Sequence, residues 1–120
     1  MLAAAPAAAD VTNSCSFSGG VVTATVNADV NSGQSAQLLG VDPVQLTYYD
    51  GVSVTNFPCT GATVANTTAI NVTGSANGDL LAISNFSTGS AEGSGIAEAT
   101  WTIDLAGGED GVYIYTESSL

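Results

Sequence analysis

Four acids stand where they could share chemistry. Asp79, Asp104, Glu109 and Asp110 lie in or beside two glycine-bearing turns, Asn77-Gly78-Asp79 and Gly107-Gly108-Glu109-Asp110-Gly111. Calcium takes roughly six to eight oxygen ligands from carboxylates, carbonyls and water, so these four residues are the candidate calcium ligands if the two turns are adjacent. The competing reading is structural, because Asp and Asn favour turns by bonding to nearby backbone. Glycoside hydrolysis would need two carboxyls about 5 to 9.5 Å apart, drawn here from Glu92, Glu98 and Asp104. Nothing in the spacing selects such a pair, and the serines have no base to activate them. The sequence therefore predicts no catalytic residue and no enzyme.

The other reactive side chains are few. The two cysteines, Cys15 and Cys59, form an even pair in a short chain. Outside the cytosol that pattern reads as a disulfide. Closing a loop of about 45 residues would stabilise by roughly 4 kcal/mol in the chain-entropy model. Tyr113 and Tyr115 alternate with Val112, Ile114 and Thr116. They are the candidate interaction residues, able to stack on sugars or on a neighbouring subunit. Asn66, Asn71 and Asn85 each begin an Asn-x-Ser/Thr sequon, so a glycan is possible where the host can attach one.

Composition excludes more than it proposes. The 120 residues contain no Lys, Arg or His, and the 11 acids leave a net charge of −11. No cation is available for phosphate, which excludes electrostatic nucleic-acid binding. Binding to an anionic membrane surface is equally disfavoured. Without imidazole or amine there is no His-based zinc site, no His triad and no Schiff base. Charged residues are only 9% of the chain and hydrophobic ones 45%. The chain can therefore fold, and its solubility must rest on Ser, Thr, Asn and Gly.

The elements that would position these residues are short strands. Val21 to Val26 alternates, with Val22, Ala24 and Val26 on one face. Val44 to Tyr49 alternates again and places Val44, Leu46 and Tyr48 together. Asp50-Gly51 predicts a two-residue hairpin with the strand resuming at Val52. Phe57-Pro58-Cys59-Thr60-Gly61 reads as a corner. Ser84 to Gly95 reads as a loop, anchored by Phe86.

A weak internal repeat runs through the second half. Ile70-Asn71-Val72 leads through Gly74 and Asp79 to Leu81-Ala82-Ile83. Ile103-Asp104-Leu105 leads through Gly107 and Asp110 to Val112-Tyr113-Ile114. The spacing is 33 residues at the first strand (Ile70 to Ile103) and 31 at the second (Leu81 to Val112). Such units suit either a β-solenoid or two hairpins of a β-sandwich.

The series Cys15, Pro58-Cys59, Gly61-Ala62-Thr63-Val64 and Asn66 to Gly74 continues through Gly78-Asp79, Phe86 to Gly93 and Ile103-Asp104-Leu105. It resembles the N-terminal segment of secreted actinobacterial proteins related to the hemolysin-type (RTX-like) calcium-binding repeat family. The resemblance spans residues 15 to 116 and is most specific from Cys59 to Gly74. It implies a secreted, β-rich domain or β-solenoid cap. In that family Gly-Gly-x-Gly-x-Asp arrays usually follow and bind calcium between stacked turns. Here only the two turns named above approximate such a repeat.

The expectations are then an all-β single domain, β-solenoid or β-sandwich-like, over residues 10–120 with one disulfide. Residues 1–9, MLAAAPAAA, read as a signal-peptide remnant or an N-terminal arm. No apolar run approaches the roughly 18 residues of a membrane span. The expected function is that of a secreted or cell-surface structural protein, a subunit of a fibre or envelope layer, joining edge to edge. The alternatives are a calcium-binding solenoid cap and a carbohydrate-binding module.

Overall fold

The computed structural model describes residues 11–84 and 99–115. The expected arm at 1–9, the Phe86 loop, Glu92, Glu98 and the Asn85 sequon lie outside the described residues. Among the described residues there are nine strands: β1 (Ser14–Ser18), β2 (Val21–Thr25), β3 (Ser35–Leu39), β4 (Gln45–Tyr49), β5 (Val54–Pro58), β6 (Ala69–Thr73), β7 (Leu80–Ser84), β8 (Thr100–Asp104) and β9 (Gly111–Tyr115). The only helical element among them is one 3-10 turn at Val30–Ser32, capped by Asp29.

These strands form two sheets, β1-β2-β6-β8 and β5-β4-β3-β7-β9. Each sheet is mixed. Antiparallel hairpins occupy the β1 and β5 sides, and parallel pairs run out to β8 and β9. The inward positions of both sheets meet in one core. Val22, Ala24, Ile70 and Val72 come from one sheet; Ala36, Leu38, Leu46, Leu81 and Ile83 come from the other. The domain is all-β and sandwich-like, and it is not a closed solenoid. Alternation at period two carries this arrangement, since it gives each strand one apolar face and one polar face.

The parallel pairs follow from how the chain crosses between sheets. β2 leads into β3, β6 into β7 and β8 into β9, each time passing from one sheet to the other. Three strand–turn–strand arches therefore lie side by side. The second and third arches match with a constant offset of 31 residues, Ile70 opposite Trp101 and Leu81 opposite Val112. This corrects the sequence alignment, which set Ile70 against Ile103. Ile103 instead pairs with Val72. The first arch belongs to the same set, with Val22 opposite Ile70 and Leu38 opposite Ile83.

Two turns show local chemistry at work. Gly19 and Gly20, at φ 59° and 84°, make the β1–β2 hairpin. Positive φ at both central residues suits the twist of the flanking strands. Between β4 and β5 the expected two-residue hairpin is in fact a four-residue loop, since Tyr49 pairs with Val54. Asp50 explains the difference. Its Oδ1 accepts from the N–H of Val52 and of Ser53, both at 2.8 Å, and so holds the chain away from a tighter turn.

The Cys15–Cys59 disulfide joins β1, the edge of one sheet, to the residue after β5, the edge of the other, with Cα atoms 4.8 Å apart. It draws the two sheets together on that side. Cys59 is fully buried, its N–H donates to Val44 O at 2.8 Å, and its carbonyl accepts from Ala62 N–H at 2.8 Å.

Candidate functional site

The acidic turns come together as the repeat implies, and two of their carboxyls accept hydrogen bonds from backbone. Asp79 is completely buried. Its Oδ1 accepts from Ala28 N–H at 2.8 Å and its Oδ2 from Ser75 N–H at 2.7 Å. Ser75 Oγ lies 3.0 Å from both oxygens. The carboxyl thus faces three donors of the protein itself. Leu80 N–H then donates to Ala28 O at 3.1 Å, so the second arch grips both backbone groups of Ala28.

The third arch repeats this grip on the second. Asp110 Oδ1 accepts from Asp79 N–H at 2.8 Å, and Gly111 N–H donates to Asp79 O at 2.9 Å. The second and third arches therefore each place an Asp carboxyl and the next N–H on the residue one layer before it. A carboxylate suits the task because charged acceptors make stronger bonds than carbonyls. The first arch has Ala28 at the gripping position, so the ladder begins there.

Glycine permits the layers to approach. A Cβ on Gly74 would stand 2.5 Å from Leu105 O, and one on Gly78 would stand 2.6 Å from Glu109 O. On the facing layer, a Cβ on Gly108 would stand 2.6 Å from the carbonyl carbon of Asn77. The third arch carries Glu109 where the second carries Gly78. Its outer side is thus no longer shaped to receive another backbone.

The remaining candidate calcium ligands are placed as follows. Asp104 Oδ1 accepts from Ala106 N–H at 3.0 Å, steadying a residue held at φ 66°. Glu109 is exposed and meets the second arch through its backbone. Among the described residues, no group of three or more His, Cys, Asp or Glu could hold a metal ion. The structure brings Asp79 and Asp110 together through a backbone hydrogen bond and gives the Asp79 carboxyl donors from the protein itself.

Tyr113 lies on the outer face of the five-stranded sheet, 54% exposed, opposite Ala82. Tyr115 pairs with Ser84 in the strand register, and its side chain lies outside the described ones. Tyr49 shares the outer face, and Val54 pairs with it. Of the sequons, Asn71 is exposed on β6. Asn66 is tied into a turn, its Oδ1 accepting from Thr63 N–H and its Nδ2 donating to Gly61 O.

Sequence reasoning expected unpaired edge strands but not that they would pair in parallel with their neighbours. Among the described residues, β8 and β9 are the last strands of their sheets. Gly111 N–H points towards β7, so by alternation the backbone groups of Val112 point away from it. Val112 is itself 42% exposed. No helix among the described residues is long and apolar enough to cross a membrane.

No family model, no curated protein and no solved structure matches this chain.

Proposed function

We propose that this chain is a non-enzymatic, extracellular structural module that joins a second copy of itself through the free edge of β9. The observation that carries this reading is the asymmetry of the sandwich. At the β1/β5 side a disulfide draws the sheets together, and β5 ends in Pro58, which has no N–H to offer. At the β8/β9 side, among the described residues, two parallel edges end without Lys or Pro, usual devices against edge pairing.

The form of the joint follows from the turns. A fourth parallel arch would press its backbone on Glu109, where the second arch offers Gly78. Antiparallel pairing of β9 with β9 of another copy leaves the turns apart. That contact is self-complementary and closes as a two-fold dimer. Such a dimer is the building unit for the cell-surface or fibrous assembly. The disulfide favours an oxidising location. The resemblance to secreted repeat proteins favours the same setting.

Sedimentation of the full chain tests this. The charge of −11 opposes association, so the dimer fraction rises with salt as screening grows. Val112→Pro removes an N–H that no neighbouring strand among the described residues uses. It should leave the monomer folded and shift the dissociation constant by tenfold or more (about 1.4 kcal/mol). A wild-type chain that stays monomeric at every salt and protein concentration contradicts the proposal.

A further inference from the structure

We infer that the groove at the β1/β5 end of the sandwich is a binding site for a short neutral oligosaccharide. The groove has a volume of about 560 Å³ and opens between residues 11–13 and the β4–β5 hairpin. Small-molecule sites occupy roughly 300–1,000 Å³. The groove is remote in sheet order from β9, and the inference does not depend on the dimer.

One wall is a set of amides with fixed orientation. Asn13 Oδ1 accepts from Asn27 N–H at 2.7 Å, and Asn13 Nδ2 donates to Asn27 O at 3.1 Å. Asn27 Nδ2 donates to Val11 O at 2.9 Å, and Asn77 Nδ2 donates to Asn27 Oδ1 at 3.1 Å. Asn77 lines the groove, and its Oδ1 takes no part in this series and remains an acceptor. Gln34 Oε1 accepts from Asp29 N–H at 3.0 Å, which leaves its Nε2 as a donor. The acceptors and donors are thus held in place before any ligand arrives.

The other wall is aromatic. Tyr48 and Phe57 come from adjacent strands and share one face, because Tyr48 pairs with Thr55 and Leu46 with Phe57. Both rings are half-buried, and the Tyr48 hydroxyl has no protein partner among the described residues.

Charge and hydrogen bonding select the ligand class. An anion would meet no cation and a net charge of −11. A cation would find one carboxyl, Asp29, whose oxygens already accept from Asn31 N–H at 2.9 Å and Ser32 Oγ at 3.0 Å. A wholly apolar ligand would strand the Tyr48 hydroxyl and the free ends of Gln34 and Asn77 without hydrogen-bond partners. An uncharged molecule with many hydroxyls and an apolar C–H face satisfies both walls. The amides bond its hydroxyls, and the rings receive its C–H face.

The test is titration of the full chain with maltotriose, cellotriose and tri-N-acetylchitotriose, followed by NMR of the side-chain amides. Saturable shifts of the Gln34 and Asn77 amides with at least one of the three are expected. Gln34→Ala should weaken binding by about tenfold or more with the melting curve of the fold retained, and Tyr48→Ala should weaken it as much while lowering the melting temperature, because its ring packs on the core. Tyr48→Phe, which keeps the ring and loses the hydroxyl, should weaken it less. Val112→Pro should bind as the wild type does, which separates this site from the dimer edge. Absence of saturable shifts with all three sugars overturns the inference, as does binding that survives Tyr48→Ala unchanged.

Discussion

A carboxyl with no exposure and no cation anywhere in the chain can persist only if backbone and hydroxyl donors take the place of water. Asp79 meets that condition through Ala28, Ser75 N–H and Ser75 Oγ. Asp79→Ala should leave these donors facing a void and cost about 3–5 kcal/mol, read by urea denaturation with the disulfide intact. Asp79→Asn turns one acceptor into a donor facing donors, and about 1–3 kcal/mol is expected. Asp50 behaves differently because it is fully exposed. The N–H groups of Ser53 and Val52 hold its carboxyl below the usual carboxylate value. A folded pKa below the unfolded one means that its contribution is complete above the unfolded value, near 3.9. That contribution is lost as pH falls through the folded value. An NMR titration should find Asp50 below an ordinary Asp, and Asp50→Asn should remove that part of the acid dependence. The spacing of Asp79 and Asp110 was legible in the sequence. Their grip on the backbone was not, because an Asp in such a turn suits calcium ligation and a backbone grip alike, and the hydrogen bonds show only in three dimensions.

At the scale of elements, the arches depend on close approach at a few glycines. Gly78→Ala would force a Cβ against the Glu109 carbonyl and should lower stability by about 1–3 kcal/mol, as overpacking does. Gly107 is the control. Its nearest neighbour would be Ala76 O at 3.6 Å, and Gly107→Ala should change the melting temperature little. Most strands were readable from alternation: Val22, Ala24 and Val26 face the core as expected, and so do Val44 and Leu46. The first arch escaped notice because a 3-10 turn at Val30–Ser32 lengthens its connection and Ala28 stands where Asp would mark it. The two-residue error at Ile103 has a similar cause. Short Val/Ile-x-Val/Ile patterns look alike at neighbouring registers, and pairing rather than composition decides among them.

At the scale of the molecule, the disulfide and the free edge set opposite ends apart. Reducing Cys15–Cys59, which are 44 residues apart, should cost roughly 4 kcal/mol by the chain-entropy estimate. Denaturation with and without reductant checks this. The pairing itself was evident from an even cysteine count; that it would close one flank of a sandwich was not, since this depends on which strands become edges. The central claim concerns the other flank, where β9 meets a second copy. Amide hydrogen exchange at Val112 N–H reads that contact directly. The dimer account predicts that this N–H becomes protected as protein concentration rises, while Gly111 N–H, bonded to Asp79 O, is protected throughout. Exchange of Val112 at the rate of an open amide at every concentration would contradict it.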